Sequence, residues 1–154
     1  MSAANPLDFT GKVVIVTGGA RGVGRGITER FLEAGADVVI CGRTEPDDPP
    51  TAGGRTALFV AADVRDADDV DRVVSETVER FGRLDVLVNN AGGGPPADSA
   101  TASPRFSTSI IALNLIAPLV FAQRANAVMQ QQDDGGVIVN IASVSGIRPS
   151  PGSA

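Results

Sequence analysis

A doubly wound α/β fold, with helices covering both faces of a parallel sheet, is the class this sequence predicts, and three observations carry it. Short apolar runs alternate with segments of helical periodicity from one end of the chain to the other. The first run, Val13-Val14-Ile15-Val16, enters the turn Thr17-Gly18-Gly19-Ala20-Arg21-Gly22-Val23-Gly24, which opens directly into a helix. Finally, the apolar content is mostly valine and alanine with few aromatics, which suits parallel strands buried on both faces. At 154 residues the chain reads as a single domain, 1–154, with room for a sizeable core.

The elements follow in order. Residues 12–17 form the first strand and 22–34 the first helix, with Gly35 suited to its C-terminus. Residues 37–41 form the second strand. Residues 42–56 carry Pro46, Pro49, Pro50, Gly53 and Gly54 and read as loop. The third strand spans 57–61. Asp66 caps the next helix, with Asp68 and Asp69 where a helix N-terminus favours carboxylates. Val70, Val73, Val74, Thr77, Val78 and Phe81 line one face of it. A fourth strand at 85–88 precedes a Gly/Pro/Ser/Ala loop at 92–104. A long helix over 105–130 and a fifth strand at 137–141 complete the pattern. The fifth strand is apolar on both faces, as an interior strand should be. Right-handed crossovers join such units.

Composition excludes several functions. The net charge is −5 with no run of lysine or arginine, so no nucleic-acid partner is expected. Residues 1–10 have neither a basic start nor an apolar core, so they are not a signal peptide. The longest apolar stretch, 110–122, holds Asn114 and Pro118 and is read as too short for a bilayer. The single Cys41 excludes an intramolecular disulfide and suits a small buried position. Without histidine, neither a soft-metal site nor a Ser-His-Asp triad can be built. The expectation is a soluble, cytoplasmic protein with no metal and no membrane association.

The glycine turn carries the first functional signal. A strand feeding a helix through glycines holds the phosphates of a dinucleotide, because backbone N–H groups and the helix N-terminus point at the anion. Gly18 permits the tight turn, Gly22 the approach to pyrophosphate and Gly24 close packing of helix on strand. The second strand ends Cys41-Gly42-Arg43, with no carboxylate to bind a ribose 2′-hydroxyl. Arg43 and Arg21 match the geometry of a 2′-phosphate instead, although Glu45 on a flexible loop could reach the ribose. Pro118 lies four residues after Asn114 in the long helix and has no N–H. The Asn114 carbonyl therefore loses its helical partner, and a kink is expected.

Taken in order, Thr17-Gly18-x-x-x-Gly22-x-Gly24, Asp63-Val64, Asn89-Asn90-Ala91-Gly92, Asn114 and Ile141-Ala142-Ser143 resemble the short-chain dehydrogenases/reductases, from about Phe9 to the last residue. The resemblance implies a Rossmann-type sheet and an NADP(H)-dependent oxidoreductase, with NAD(H) as the alternative cofactor. It implies cofactor contacts from Gly18, Arg21, Gly22, Val23, Gly24, Arg43, Asp63, Val64, Asn90, Ala91 and Gly92. Asp63 faces the adenine amine, Val64 uses its backbone, and Asn90-Ala91-Gly92 borders the adenosine ribose. In the same way Ser143 hydrogen-bonds a substrate carbonyl or alcohol, with Ser145 its competitor and Ser150 and Ser153 read as loop. The Asn114 carbonyl holds a water in a proton relay. The substrate is a small carbonyl or alcohol, and the whole protein is expected to be a homo-oligomer using the helix near 107–130.

The sequence departs from the family at one place. The family carries Tyr-x-x-x-Lys about a dozen residues after the serine, and this chain has no tyrosine. The sequence therefore reads as the N-terminal part of an enzyme, ending after the fifth strand and inactive by itself. A noncatalytic nucleotide-binding or assembly module is the alternative. Methyl transfer fits the glycines but not Asn89-Asn90-Ala91-Gly92, Ser143 or the two arginines.

Overall fold

The computed structural model describes residues 7–98, 100–146 and 148, without the side chain of Ser145. Ser150 and Ser153 lie outside the described residues. Strand β1 (Val13–Thr17) leads through the glycine turn into helix α1 (Gly22–Glu33) and on to β2 (Asp37–Gly42). A two-residue hairpin, β3 (Thr51–Ala52) and β4 (Arg55–Thr56), precedes β5 (Leu58–Ala61), α2 (Ala67–Phe81) and β6 (Val86–Asn89). Helix α3 (Pro104–Ile111), a π-helical segment (Ala112–Ile116), α4 (Ala117–Met129) and β7 (Val137–Asn140) follow, then a 3-10 turn at Val144–Gly146.

The main sheet has the order β5-β2-β1-β6-β7, and every neighbouring pair is parallel. This is the doubly wound α/β fold the alternation predicts. The chain starts in the middle, builds outward to β5, then returns across β1 to build β6 and β7 on the other side. Alternate residues of one strand serve opposite faces. Ile15, Val39 and Leu87 pack with Val70 and Val73 of α2 and with Phe121 and Ala125 of α4. Val14, Val38, Ile40 and Val86 pack on the other face with Leu32 of α1. Phe121 is the largest fully buried side chain among the described residues, a burial that contributes about 1.5–3 kcal/mol.

At the amino-terminal edge of the sheet Asp85 ties the strand starts together. Its carboxylate accepts the Val13 N–H at 2.9 Å, Lys12 Nζ at 3.2 Å and a fork from Arg83 at 2.7 and 2.5 Å. Burial pushes this carboxyl up, but the bonds from Arg83, Val13 and Lys12 together hold it below its ordinary value.

Four sequence expectations change. The 42–56 loop contains the β3–β4 hairpin, and Arg25 pins the segment to α1 by donating to the Asp48 carbonyl and carboxylate, both at 2.9 Å. Glu45 lies three residues before that tether. The kink expected at Pro118 is a π-helical segment, in which the Ala117 N–H donates to the Ala112 carbonyl five residues back and the helix continues. The helical run Pro104–Met129 is also long and apolar enough, by length and composition, to cross a membrane. Its inner face, Ala117, Phe121, Ala125 and Met129, is buried where α4 packs on α2 and β6, so it serves as a layer of the fold. Lastly β7, read as interior, is an edge among the described residues, with Val137 and Val139 exposed.

Candidate functional site

In a parallel sheet every strand presents its carboxyl end at the same edge, and open α/β sheets bind ligands there. The glycine turn, Arg43, Asp63, Asn90 and Ser143 all follow strands at that edge. The turn itself is held by steric fit. Gly18 (φ 64°) and Gly22 (φ 55°) occupy the left-handed region that favours glycine. A Cβ on Gly24 would lie 2.4 Å from the Gly18 carbonyl oxygen and 2.5 Å from Asn90 Nδ2, whereas one on Gly22 would meet nothing within 4 Å. The backbone is thus packed inward at Gly24 and bare outward at Gly22.

Helix α1 differs from α2 and α3 at its start. Asp66 caps α2 by accepting from the Asp68 and Asp69 N–H groups, and Ser103 caps α3 by accepting from Phe106. In α1 the N-cap residue Arg21 is extended, its side chain makes no capping bond, and no acidic residue occupies the first turn. The first-turn N–H groups remain available to an anion, beside an exposed guanidinium that makes no hydrogen bond or ion pair with a described residue.

The doubled asparagine divides its work. Asn90 binds back to the turn: its side-chain amide donates to the Thr17 carbonyl at 2.9 Å and contacts that of Gly18 at 3.4 Å. Thr17 Oγ1 accepts the N–H groups of Asn90 and Ala91, both at 2.9 Å, and its hydroxyl donates to the Val88 carbonyl at 3.5 Å. All the capacity of that hydroxyl is used. Asn89 binds outward, donating to the Pro118 carbonyl at 3.1 Å and to Asn140 Oδ1 at 2.9 Å, which joins β6 to α4 and β7. Asn114 reaches the loop after β6. Its Oδ1 accepts the Gly93 N–H at 2.7 Å while its Nδ2 donates to the Gly93 and Ile110 carbonyls, each at 3.0 Å.

Asp63 follows β5 and is fixed at both ends. Its backbone N–H donates to Asp69 Oδ2 at 2.8 Å, and Arg72 holds Asp69 and the Ala61 carbonyl. Its carboxylate is gripped by Arg65, through Nε on Oδ1 at 2.9 Å and Nη2 on Oδ2 at 2.5 Å, and the Arg65 N–H adds a bond to Oδ1 at 3.1 Å. Arg65, with help from the nearby Arg43 charge, lowers the Asp63 carboxyl from 3.8 to about 2. Val64 is buried beside it. Cys41 is also buried, which pushes its thiol up to about 12, so it is an inert part of the core.

The structure thus joins Gly18, Gly24, Asn90 and Ala91 in one bonded cluster, and Gly92, Gly93 and Asn114 in a second. Gly92 belongs to the latter because a Cβ there would lie 2.9 Å from Asn114 Oδ1. Val23 is exposed in the first turn of α1, and Arg43 lies on exposed chain after β2. Ser143 lies on exposed chain past β7, opening the 3-10 turn with its carbonyl accepting the Gly146 N–H. Sequence reasoning quoted Thr17 and Gly19 within the glycine turn but gave them no role of their own, and it missed Thr28 and Arg65. A Cβ on Gly19 would lie 2.4 Å from Ile40 and 2.7 Å from Thr28 Oγ1, and Thr28 donates to the Gly19 carbonyl. A threonine in the middle of an apolar helix face was the available signal for Thr28.

A parallel sheet of order β5-β2-β1-β6-β7 with a glycine turn after its central strand defines the nucleotide-binding class of doubly wound proteins. Comparison with known proteins narrows the class. The family model described as short chain dehydrogenase matches residues 12–154, and the chain belongs to that family. The L-fucose dehydrogenase of Bos taurus is 40% identical over 147 residues, covering 90% of this chain and 51% of that protein. Among solved structures, a short chain dehydrogenase from Mycobacterium smegmatis superposes with a TM-score of 0.84 at 34% identity, covering 94% of this chain and 63% of that one. Ligand-free aldohexose dehydrogenase from Thermoplasma acidophilum gives 0.84 at 30% identity, covering 96% of this chain and 54% of that one. The chain spans about half the length of the dehydrogenases from Bos taurus and Oryctolagus cuniculus that it matches.

Proposed function

We propose that this chain is the coenzyme-binding part of an NADP(H)-dependent oxidoreductase that interconverts a carbonyl and an alcohol on a small molecule. The observation that carries the reading is the uncapped start of α1 at a glycine turn, in a chain of the short-chain dehydrogenase family. Gly22, Val23 and Gly24 bring backbone N–H groups to the pyrophosphate, while Gly18, whose own N–H donates to the Cys41 carbonyl, shapes the turn. The bare backbone at Gly22 and the inward packing at Gly24 fit such a group. Arg43 and Arg21 flank the 2′-phosphate, since β2 ends without a carboxylate. Asp63 and Val64 border the adenine, and Asn90, Ala91 and Gly92 the adenosine ribose.

A nicotinamide cofactor, when bound, would supply or accept the hydride. Ser143 hydrogen-bonds the substrate oxygen and polarises it; without histidine it is no nucleophile. Asn114 has its side chain engaged by Gly93, so its role falls to the main-chain carbonyl, which holds water because Pro118 offers no N–H. The relatives named for L-fucose and aldohexoses make hydroxylated sugars the first substrates to try.

The test uses a form that carries the Tyr-x-x-x-Lys pair. Ser143→Ala should lower turnover by on the order of 10²-fold while NADPH affinity stays near wild type. A large loss from Ser145→Ala with a mild one from Ser143→Ala would reassign the serine. Failure of the wild type to bind either NADPH or NADH would remove the reading altogether.

A further inference from the structure

The Asp63 carboxylate has four acceptor positions, and three are already filled. Oδ1 accepts both the Arg65 backbone N–H at 3.1 Å and Arg65 Nε at 2.9 Å, which uses both of its lone pairs. Oδ2 accepts Arg65 Nη2 at 2.5 Å and keeps one position open. The fork also fixes the rotation of the carboxylate, because two parallel N–H···O bonds set a plane. The remaining guanidinium nitrogen, Nη1, reaches Ser109 Oγ on α3 at 3.4 Å. Arg65 is thereby held from a second element and is not a freely solvated side chain.

We propose that Arg65 is a specificity-determining positioning residue: by occupying three of the four acceptor positions of Asp63, it leaves one oriented acceptor that selects a base carrying an amine over one carrying a carbonyl at the same position. The inference rests on the dinucleotide reading and deepens it. Adenine offers an N–H to the open position of Oδ2. Hypoxanthine offers a carbonyl oxygen, which meets a fixed, charged acceptor. With the fork removed, the carboxylate can rotate and bind water, and the distinction between the two bases weakens. A lysine keeps the charge but cannot grip both oxygens.

The experiment measures binding of NADPH and of its hypoxanthine analogue, deamino-NADPH, to the full chain by nicotinamide fluorescence. The wild type should favour NADPH by about tenfold or more, the scale of one hydrogen bond to a charged group. Arg65→Met should reduce that ratio to about threefold or less, and Arg65→Lys should fail to restore the wild-type ratio. An unchanged ratio in Arg65→Met, including equal weakening of both ligands, would overturn the inference, because a merely structural role moves both alike. A full wild-type ratio in Arg65→Lys would overturn it too, since charge alone would then suffice. If the wild type binds neither dinucleotide, the functional reading fails along with the inference; if it binds both and only the ratio is insensitive, the inference alone fails.

Discussion

Arg43 is the residue on which the proposed preference for NADP(H) rests. It lies on exposed chain immediately after β2, and its charge reaches far enough to help lower Asp63. A guanidinium there stabilises a phosphate dianion but has little to offer a ribose hydroxyl. Arg43→Ala should weaken NADPH by about tenfold and leave NADH nearly unchanged, as measured by titrating each cofactor into the protein. Equal losses for the two would remove the NADP(H) assignment. Cys41 and Arg43, two residues apart, illustrate how burial separates neighbouring groups: one thiol is held neutral within the core while one guanidinium is held out in water.

At the scale of elements, Asp85 fastens β1 to β6 at the edge opposite the site. Removing its carboxylate leaves Arg83 and Lys12 with only their pairs to the exposed Asp134 and leaves the Val13 N–H without its acceptor. Asp85→Ala should cost about 2–4 kcal/mol of stability in denaturant unfolding. The sign with pH follows from its lowered carboxyl. The folded value lies below the ordinary 3.8, so the contribution is complete above 3.8 and is lost as pH falls through the folded value. Asp63 acts in the same direction, its contribution being lost as pH falls through its value of about 2. Asp85→Asn should therefore show a shallower loss of stability with acid than the wild type.

Most elements were legible because period and composition agree. Val13-Val14-Ile15-Val16 is a continuous apolar run, and Val70, Val73 and Thr77 repeat at helical spacing, so β1 and α2 fall within a residue of expectation. The β3–β4 hairpin was hidden because two-residue strands have no measurable period. The π segment was half visible: Pro118 marks a missing N–H, but nothing in the sequence says the helix absorbs it by a wider turn. In the site, glycines betray themselves by type. Pairings such as Arg25 with Asp48 or Asn89 with Asn140 do not, since they join residues far apart in the chain that only the folded sheet brings together.

For the whole molecule, two surfaces stand uncovered among the described residues. Ile111, Leu115 and Leu119 repeat every four residues on the outer side of the long helical run, with Leu115 61% exposed. Val137 and Val139 sit on β7, whose one paired neighbour is β6. An edge strand with free backbone groups and apolar side chains recruits another strand. Expressed as residues 1–154, the chain should self-associate at micromolar concentration in light scattering. Val139→Lys, which places a charge on that edge, should shift it toward monomer. A monodisperse wild-type monomer would contradict this.

The pairing of Asn114 with Gly93 has a mechanical side. One amide side chain meets one peptide unit through both its oxygen and its nitrogen, so the contact resists sliding and twisting as a single bond cannot. The same asparagine sits inside the wider π turn, the place where the helix has most room to shift its register. A displacement of that turn would act on Gly93 through both bonds at once. The long helical run and the loop after β6 are thereby fastened together at one point on the carboxyl edge of the sheet.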